Sequence, residues 1–93
     1  MINTIKCKAL KKAINKGKYQ LLNPNHHAKI KMLITALHSA TCLNDLQDIQ
    51  GGNLHCYKEK GIWSLDVSGN YRLLFKFNEE NGEVNDLIYY DPH

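Results

Sequence analysis

The spacing of apolar residues changes once along this 93-residue chain, and the change separates a helical half from a sheet half. The clearest apolar series in the first half, with the spacing of one face of an α-helix, is Ile30, Leu33, Ile34, Leu37 and Ala40. From residue 53 onward the period falls to 2, the period of a strand that buries one side. A chain with this order is expected to pack helices against one face of a sheet.

One short strand and two helices are predicted in the first half. Residues 2–5 are expected to form the strand, and residues 6–16 a helix that ends at Gly17, because a left-handed C-cap favours glycine. The apolar series lies in a second helix over 24–41. Asn23 is its expected cap, and Pro24 suits the first helical position, where no amide donor is needed.

Three or four antiparallel strands are predicted in the second half. An alternating run over 63–67 ends at the turn sequence Ser68-Gly69-Asn70, and a second alternating run begins at Tyr71. Another turn signal over 79–82 precedes a last strand over 84–90. The predicted fold class is therefore α+β: a short N-terminal strand, two helices and an antiparallel meander of three to four strands.

Aromatic and cationic residues occupy opposite faces of the predicted sheet. The residues expected in the core are Trp63, Tyr71, Phe75 and Phe77. Arg72 and Lys76 alternate with them, so both cations point away from the core if the aromatic side packs under the helices. A basic, concave sheet face of this kind suits RNA.

Length and composition favour one domain over residues 1–93 in the cytoplasm. No apolar run approaches the roughly 20 residues of a membrane span, and the N-terminus lacks the pattern of a signal peptide. The three cysteines are odd in number and lack C-x-x-C spacing, which favours buried or incidental thiols over disulfides or a zinc site. We expect no cofactor and no contact with a membrane.

Charge is distributed unevenly along the chain. Residues 1–50 carry eight lysines against Asp45 and Asp48, a net +6, whereas residues 51–93 carry a net −3. A basic half suits an anionic partner such as RNA. The alternative is a solvated lysine face without a partner, which charge alone does not exclude.

Three segments of the second half follow one another in a recognisable order: Leu54-His55-Cys56-Tyr57-Lys58, then Gly61-Ile62-Trp63-Ser64-Leu65, then Gly69-Asn70-Tyr71-Arg72-Leu73-Leu74-Phe75-Lys76-Phe77. Together they resemble the core of HigB-type toxins, the plasmid-maintenance killer proteins of the RelE superfamily. The terminal segment Tyr90-Asp91-Pro92-His93 is similar to the closing aspartate-x-histidine of that family.

The resemblance implies a RelE-like α+β fold and a toxin that is a metal-free, ribosome-dependent messenger RNA endoribonuclease. It also implies the partners: the ribosome with its messenger RNA, and a HigA-like helix-turn-helix antitoxin that neutralises the toxin. Operator DNA is expected to be contacted only through the antitoxin complex.

The same resemblance assigns the candidate catalytic residues. His55 and Lys58 match the histidine and lysine of the family, Arg72 matches its strand arginine, and His93 matches its C-terminal histidine. Such residues suit RNA cleavage, because the 2′-hydroxyl needs a base, the phosphate needs cations and the leaving oxygen needs an acid. On an extended chain His55 and Lys58 face opposite sides, so a turn at Lys58 is required.

Two lysines, Lys60 and Lys76, are added as candidate RNA-binding residues.

Two departures from the family concern the rest of the site. Pro92 stands where the family has tyrosine, so Tyr90 or Tyr89 is the candidate for that hydroxyl. The loop between Lys58 and Trp63 is also about two residues shorter than the family's. These departures favour the alternative function, a catalytically weak or inactive RelE-fold module that binds the ribosome or RNA and its antitoxin.

Structural roles remain open for individual residues. Arg72 could pair with Asp66 or Asp86 across the sheet, and His55 could be an ordinary surface residue of a strand. A free-standing RNA-binding domain without a toxin role is a third reading of the whole chain.

Overall fold

In the part of the chain that the structure describes, three α-helices pack with a four-stranded antiparallel sheet, and the α+β class predicted from the change of period is confirmed. The structure is a computed structural model, and it describes residues 1–57 and 61–90. The helices are α1 (Lys8–Lys16), α2 (His27–Ser39) and α3 (Leu43–Gln47). The strands are β1 (His55–Cys56), β2 (Ile62–Asp66), β3 (Arg72–Asn78) and β4 (Glu83–Tyr90), which lie in the order β1-β2-β3-β4.

The N-terminal segment runs beside β4 without forming a regular strand. The strand predicted over 2–5 is present only as two isolated parallel bridges, Ile2 with Val84 and Ile5 with Leu87. The amides of Asn3 and Thr4 both point at the carbonyl oxygen of Val84, so the regular ladder is interrupted between the two bridges.

The ends of the first two helices follow the predicted capping chemistry. Gly17 ends α1 with φ of +68°, and its amide donates to the carbonyl oxygen of Ala13. Asn23 Oδ1 accepts a hydrogen bond from the amide of Asn25 at 3.0 Å. It caps a 3₁₀ turn over Pro24–His26, and α2 begins only after that turn, so the predicted helix over 24–41 is a 3₁₀ turn followed by a shorter α-helix.

The third helix was not predicted, because five residues are too few to show helical periodicity. The Asp45 carboxylate accepts hydrogen bonds from the backbone amide of Thr41 at 2.9 Å and from its hydroxyl at 3.1 Å. These hydrogen bonds hold the pKa of Asp45 below its ordinary value. Thr41 is thereby diverted into the cap of α3, so α2 ends at Ser39 rather than near residue 41.

The core lies between the helices and one face of the sheet. The predicted α2 stripe is confirmed, since Ile30, Leu33 and Leu37 are fully buried. Opposite them lie Leu73 and Phe75 of β3. The other three aromatic residues predicted for the core, Trp63, Tyr71 and Phe77, are partly buried and pack against it.

A buried histidine connects the start of α2 to the ends of β3 and β4. His26 Nδ1 shares a hydrogen bond of 2.6 Å with the hydroxyl of Tyr89, and the ring of His26 meets that of Tyr71 edge to face at 4.7 Å. The rings of Tyr71 and Tyr89 stack at 5.1 Å. This cluster lies on the helical side of the sheet, directly behind the neighbouring residues Arg72 and Tyr90.

None of the helices in the described part of the chain has the length and apolar character that a membrane span requires. Its three cysteines are free thiols. Cys7 and Cys42 are half-buried, whereas Cys56 is exposed.

Truncation of the α2 stripe tests the core directly. Leu37→Ala is expected to lower the free energy of unfolding by about 2–5 kcal/mol, because it leaves a cavity at a fully buried site. Met32→Ala, on the exposed side of the same helix, is the matched control and should change it by less than about 0.5 kcal/mol. Urea denaturation measures both, and equal losses in the two variants would contradict this packing.

Candidate nucleic-acid site on the sheet

One face of the sheet turns away from the helices, and we call it the open face. Along β3, Leu73 and Phe75 enter the core while Arg72, Leu74 and Lys76 point to the opposite side. The strand register gives the open face three rows: Asp66–Arg72–Tyr90, Ser64–Leu74–Ile88 and Ile62–Lys76–Asn85. His55 extends the middle row, because it lies opposite Ser64.

Two tyrosine rings meet across the open face. The rings of Tyr57 and Tyr90 meet edge to face with their centroids 5.7 Å apart. Tyr57 directly follows β1 and Tyr90 ends β4, and strands β1 and β4 are three strand spacings apart, about 14 Å. Both side chains must therefore lean over β2 and β3. In the middle row of the same face, Ser64 is fully buried and Leu74 is 6% exposed although it lies outside the main core cluster.

His55 is held in one tautomer by the backbone. Its Nδ1 lies 2.7 Å from the carbonyl oxygen of Asn53, and a carbonyl can only accept, so Nδ1 carries the proton. In the neutral ring Nε2 then has a free lone pair. Because the side chain is exposed, this nitrogen is positioned to take a proton from a ligand.

A carboxylate connects the histidine loop to the arginine. Asp66 Oδ2 accepts a hydrogen bond of 3.1 Å from Asn53 Nδ2, and Asp66 Oδ1 lies 4.0 Å from Arg72 Nε. The backbone amide of Asp66 also donates to the carbonyl oxygen of Gly52 at 2.7 Å. Asp66 therefore fixes the residues just before His55 and attracts Arg72 at the same time.

The arginine is held loosely by this carboxylate. At 4.0 Å the pair is beyond hydrogen-bond length, and both Arg72 Nε and Asp66 Oδ1 are buried without a hydrogen-bond partner among the described residues. Each side chain is about one-third exposed, and a pair of this kind contributes only about 0–1 kcal/mol. An incoming phosphate can therefore compete for the guanidinium.

A cleft lies where the open face meets the N-terminal segment. Its volume is about 220 Å³, and its apolar lining includes Ile62, Leu74 and Ile88. Its charged rim is Lys6, Lys76 and Asp86, with Asp86 Oδ2 lying 3.5 Å from Lys76 Nζ and 3.9 Å from Lys6 Nζ. An apolar floor with cations at its rim can accept a flat base and its phosphate.

The site residues predicted from the sequence fall into two groups. His55, Arg72, Lys76 and Tyr90 lie on the open face. Lys58, Lys60 and His93 lie outside the described residues. Of the two acidic partners weighed for Arg72, the structure selects Asp66, whereas Asp86 pairs with lysines.

Three residues of the open face were not recognised as part of a site from the sequence. Asn53 and Asp66 carry the link to His55, and the ring of Tyr57 contacts that of Tyr90. The phase of Asp66, two residues from Ser64 in β2, was the available signal for its side. The hydrogen bond between Asn53 and Asp66 spans 13 residues and had no such signal.

The tautomer of His55 gives a direct test of this geometry. We expect ¹⁵N NMR of the neutral ring to show the proton on Nδ1, because the Asn53 carbonyl accepts it. His38, exposed on α2, is the internal reference. A neutral His55 ring protonated mainly on Nε2 would show that the observed contact with Asn53 is not formed in solution.

The chain matches the family model of the HigB-like toxins, described as the RelE-like toxin of type II toxin-antitoxin system HigB, over residues 3–93. No curated protein matches the chain.

Proposed function

We propose that this chain, which belongs to the HigB-like family of RelE-like type II toxins, is a metal-independent endoribonuclease that cuts messenger RNA on the ribosome. Membership of the family makes it the toxin of a toxin-antitoxin pair, with an antitoxin as partner. The observation that carries the proposed activity is the shared placement of His55, Arg72 and Tyr90 on the open face of the sheet.

The proposed reaction uses the 2′-hydroxyl of the RNA as nucleophile. His55 Nε2 takes the hydroxyl proton, the 2′-oxygen bonds to phosphorus, and the bond from phosphorus to the 5′-oxygen breaks. The products are a 2′,3′-cyclic phosphate and a 5′-hydroxyl, whose oxygen takes a proton from an acid. The fixed Nδ1–H tautomer supports the role of His55, since it leaves Nε2 ready as a base.

Arg72 is the proposed phosphate-binding residue. Its ion pair with Asp66 is long, so the guanidinium can turn its remaining donors to the phosphate as negative charge develops there. From the strand spacings, the Cα atoms of His55 and Arg72 are about 12 Å apart, a span that two long side chains can bridge across one phosphodiester.

The other roles rest on the family resemblance. We propose Lys58 as a second cation at the phosphate, His93 as a general acid or base, and Tyr90 as the source of the hydroxyl. Lys76 and Lys60 are proposed to bind the neighbouring RNA. Lys76 stands at the rim of the cleft beside the open face, which suits it to a flanking nucleotide.

The proposed setting follows from the same assignment. Residues 1–93 would act as one toxin domain in the cytoplasm, neutralised by a HigA-like helix-turn-helix antitoxin. Operator DNA would be contacted only through the complex with that antitoxin.

Substitutions on the open face test the activity. In purified ribosome complexes, His55→Ala should slow cleavage by about 10²-fold or more through loss of the base. Arg72→Ala should slow it by about 10²–10³-fold through loss of charge stabilisation. Arg72→Lys should fall between Arg72→Ala and wild type, because lysine keeps the charge but not the two-pronged geometry.

Two helix substitutions, His38→Ala and Lys31→Ala, are the matched controls and should cut normally. Thermal melts confirm that each variant is folded. Unchanged cleavage rates and cut sites in both folded open-face alanine variants would contradict the assigned site.

The non-catalytic alternative is supported by Pro92 and the short loop after Lys58. Mapping of 5′ transcript ends after induction separates it from the nuclease. Growth arrest by the wild-type protein with intact transcripts would favour a module that binds the ribosome without cutting.

A further inference from the structure

The exposed side of α1 is a row of lysines that the proposed cleavage reaction does not use. Its members, which we call the lysine face, are Lys8, Lys11, Lys12 and Lys16. The other side of the helix buries Leu10 and Ala13 in the core. The lysine face therefore lies on the helical side of the sheet, away from the open face.

The charge of this face is not compensated within the described structure. Residues 1–44 contain no aspartate or glutamate. Across residues 1–57 and 61–90, the lysines found in ion pairs are Lys6 and Lys76, neither of which belongs to the lysine face. Lys8, Lys11 and Lys16 are exposed to solvent and Lys12 is half-buried.

This arrangement does not favour the helix itself. Lys8 and Lys12, and then Lys12 and Lys16, are four residues apart, where like charges destabilise a helix. Lys8 also stands in the first turn, where the helix dipole disfavours a cation and no acidic residue is present. Cys7 at the N-cap provides no side-chain hydrogen bond. Since only Lys16 is placed favourably for the dipole, the row as a whole is better explained by an anionic ligand than by helix stability.

The composition of the face distinguishes between classes of ligand. A protein partner requires an apolar centre in the interface, where lysine is depleted. The large hydrophobic side chains exposed in the described part of the chain, Met1, Leu21 and Met32, all lie outside α1. Nucleic-acid interfaces, in contrast, are polar and strongly positive.

The lack of aromatic residues in α1 indicates which class of nucleic acid fits the lysine face. Proteins that hold single strands stack bases on aromatic rings, and α1 contains none. Lysine side chains alone bind phosphates without recognising individual bases, and this is how proteins commonly bind duplex RNA. From Lys8 to Lys16 the row extends about 12 Å along the helix axis, enough for several phosphates.

We infer that the lysine face of α1 binds the phosphate backbone of duplex RNA without sequence preference, as a second RNA surface on the side of the sheet opposite the open face. This inference goes beyond the proposed function, because duplex binding at α1 does not depend on cleavage at His55 and Arg72.

The test is the salt dependence of binding to a blunt RNA duplex of about 20 base pairs. Binding is measured by the fluorescence anisotropy of the labelled duplex. Lys8→Gln with Lys11→Gln should weaken binding about tenfold at low salt. It should also reduce the slope of log affinity against log salt by about 2, because each lost phosphate contact removes about 0.9. The melting temperature should stay the same or rise, since like-charge repulsion is relieved. Lys8→Arg with Lys11→Arg should keep the affinity.

The matched control removes the same charge from α2. Lys29 donates to the Gly51 carbonyl oxygen at 2.9 Å, and Lys31 Nζ lies 4.8 Å from the centroid of the Tyr19 ring, so both already have intramolecular partners. Lys29→Gln with Lys31→Gln should leave duplex binding near that of the wild type. Equal losses in the two double variants would mean that net charge alone acts, and would overturn the inference.

Two further outcomes would also overturn it. One is unchanged duplex binding by the α1 variant. The other is that the α1 variant loses binding to poly-glutamate while it still binds the duplex, which would assign the lysine face to an acidic protein partner. Every measurement in this test is of binding, so a negative result here does not bear on the proposed cleavage. Likewise, a failure of the cleavage proposal does not affect the interpretation of this test.

Discussion

Burial of Leu73 and Phe75 against the helices fixes the orientation of β3, and the placement of the site depends on it. Both side chains are at most 1% exposed and pack in the same cluster as Leu33 and Leu37. With a strand period of two, this packing leaves Arg72 and Lys76 only the opposite face. A shift of one residue in register would exchange these sets, burying two cations and exposing the apolar residues. The energetic cost of that exchange holds the cations on the open face.

Secondary contacts around this strand position the functional groups more finely. Asp66 links the loop before His55 to Arg72, through a hydrogen bond to Asn53 and a weak ion pair. On the helical side, the hydrogen bond between His26 and Tyr89 and the stacking of Tyr71 on Tyr89 support the strand ends that carry Arg72 and Tyr90. The site thus has a rigid support behind the sheet and a loosely held cation in front, which suits a guanidinium that must exchange a carboxylate for a phosphate.

Much of this arrangement follows from periodicity. The α2 stripe and the alternation along β3 specify which sides are buried, and Gly17 and Asn23 mark helix boundaries through their own local chemistry. The side of β3 on which Arg72 and Lys76 lie follows from the same alternation. Periodicity does not reach α3, which is short, or the irregular path of residues 2–5. The contacts of Asn53 with Asp66 and of Tyr57 with Tyr90 join residues distant in sequence, so they depend on strand pairing and loop geometry that a single strand pattern does not contain.

The central claim is that the open face is where the single-stranded substrate lies. Its most direct test is amide NMR of the protein with a short single-stranded RNA, too short to form a duplex and 2′-O-methylated so that it cannot be cut. We expect chemical-shift changes at His55, Ser64, Leu74 and Ile88, and their marked weakening in the Arg72→Ala variant. Changes confined to α1 and α2, with the open face unaffected, would contradict the account.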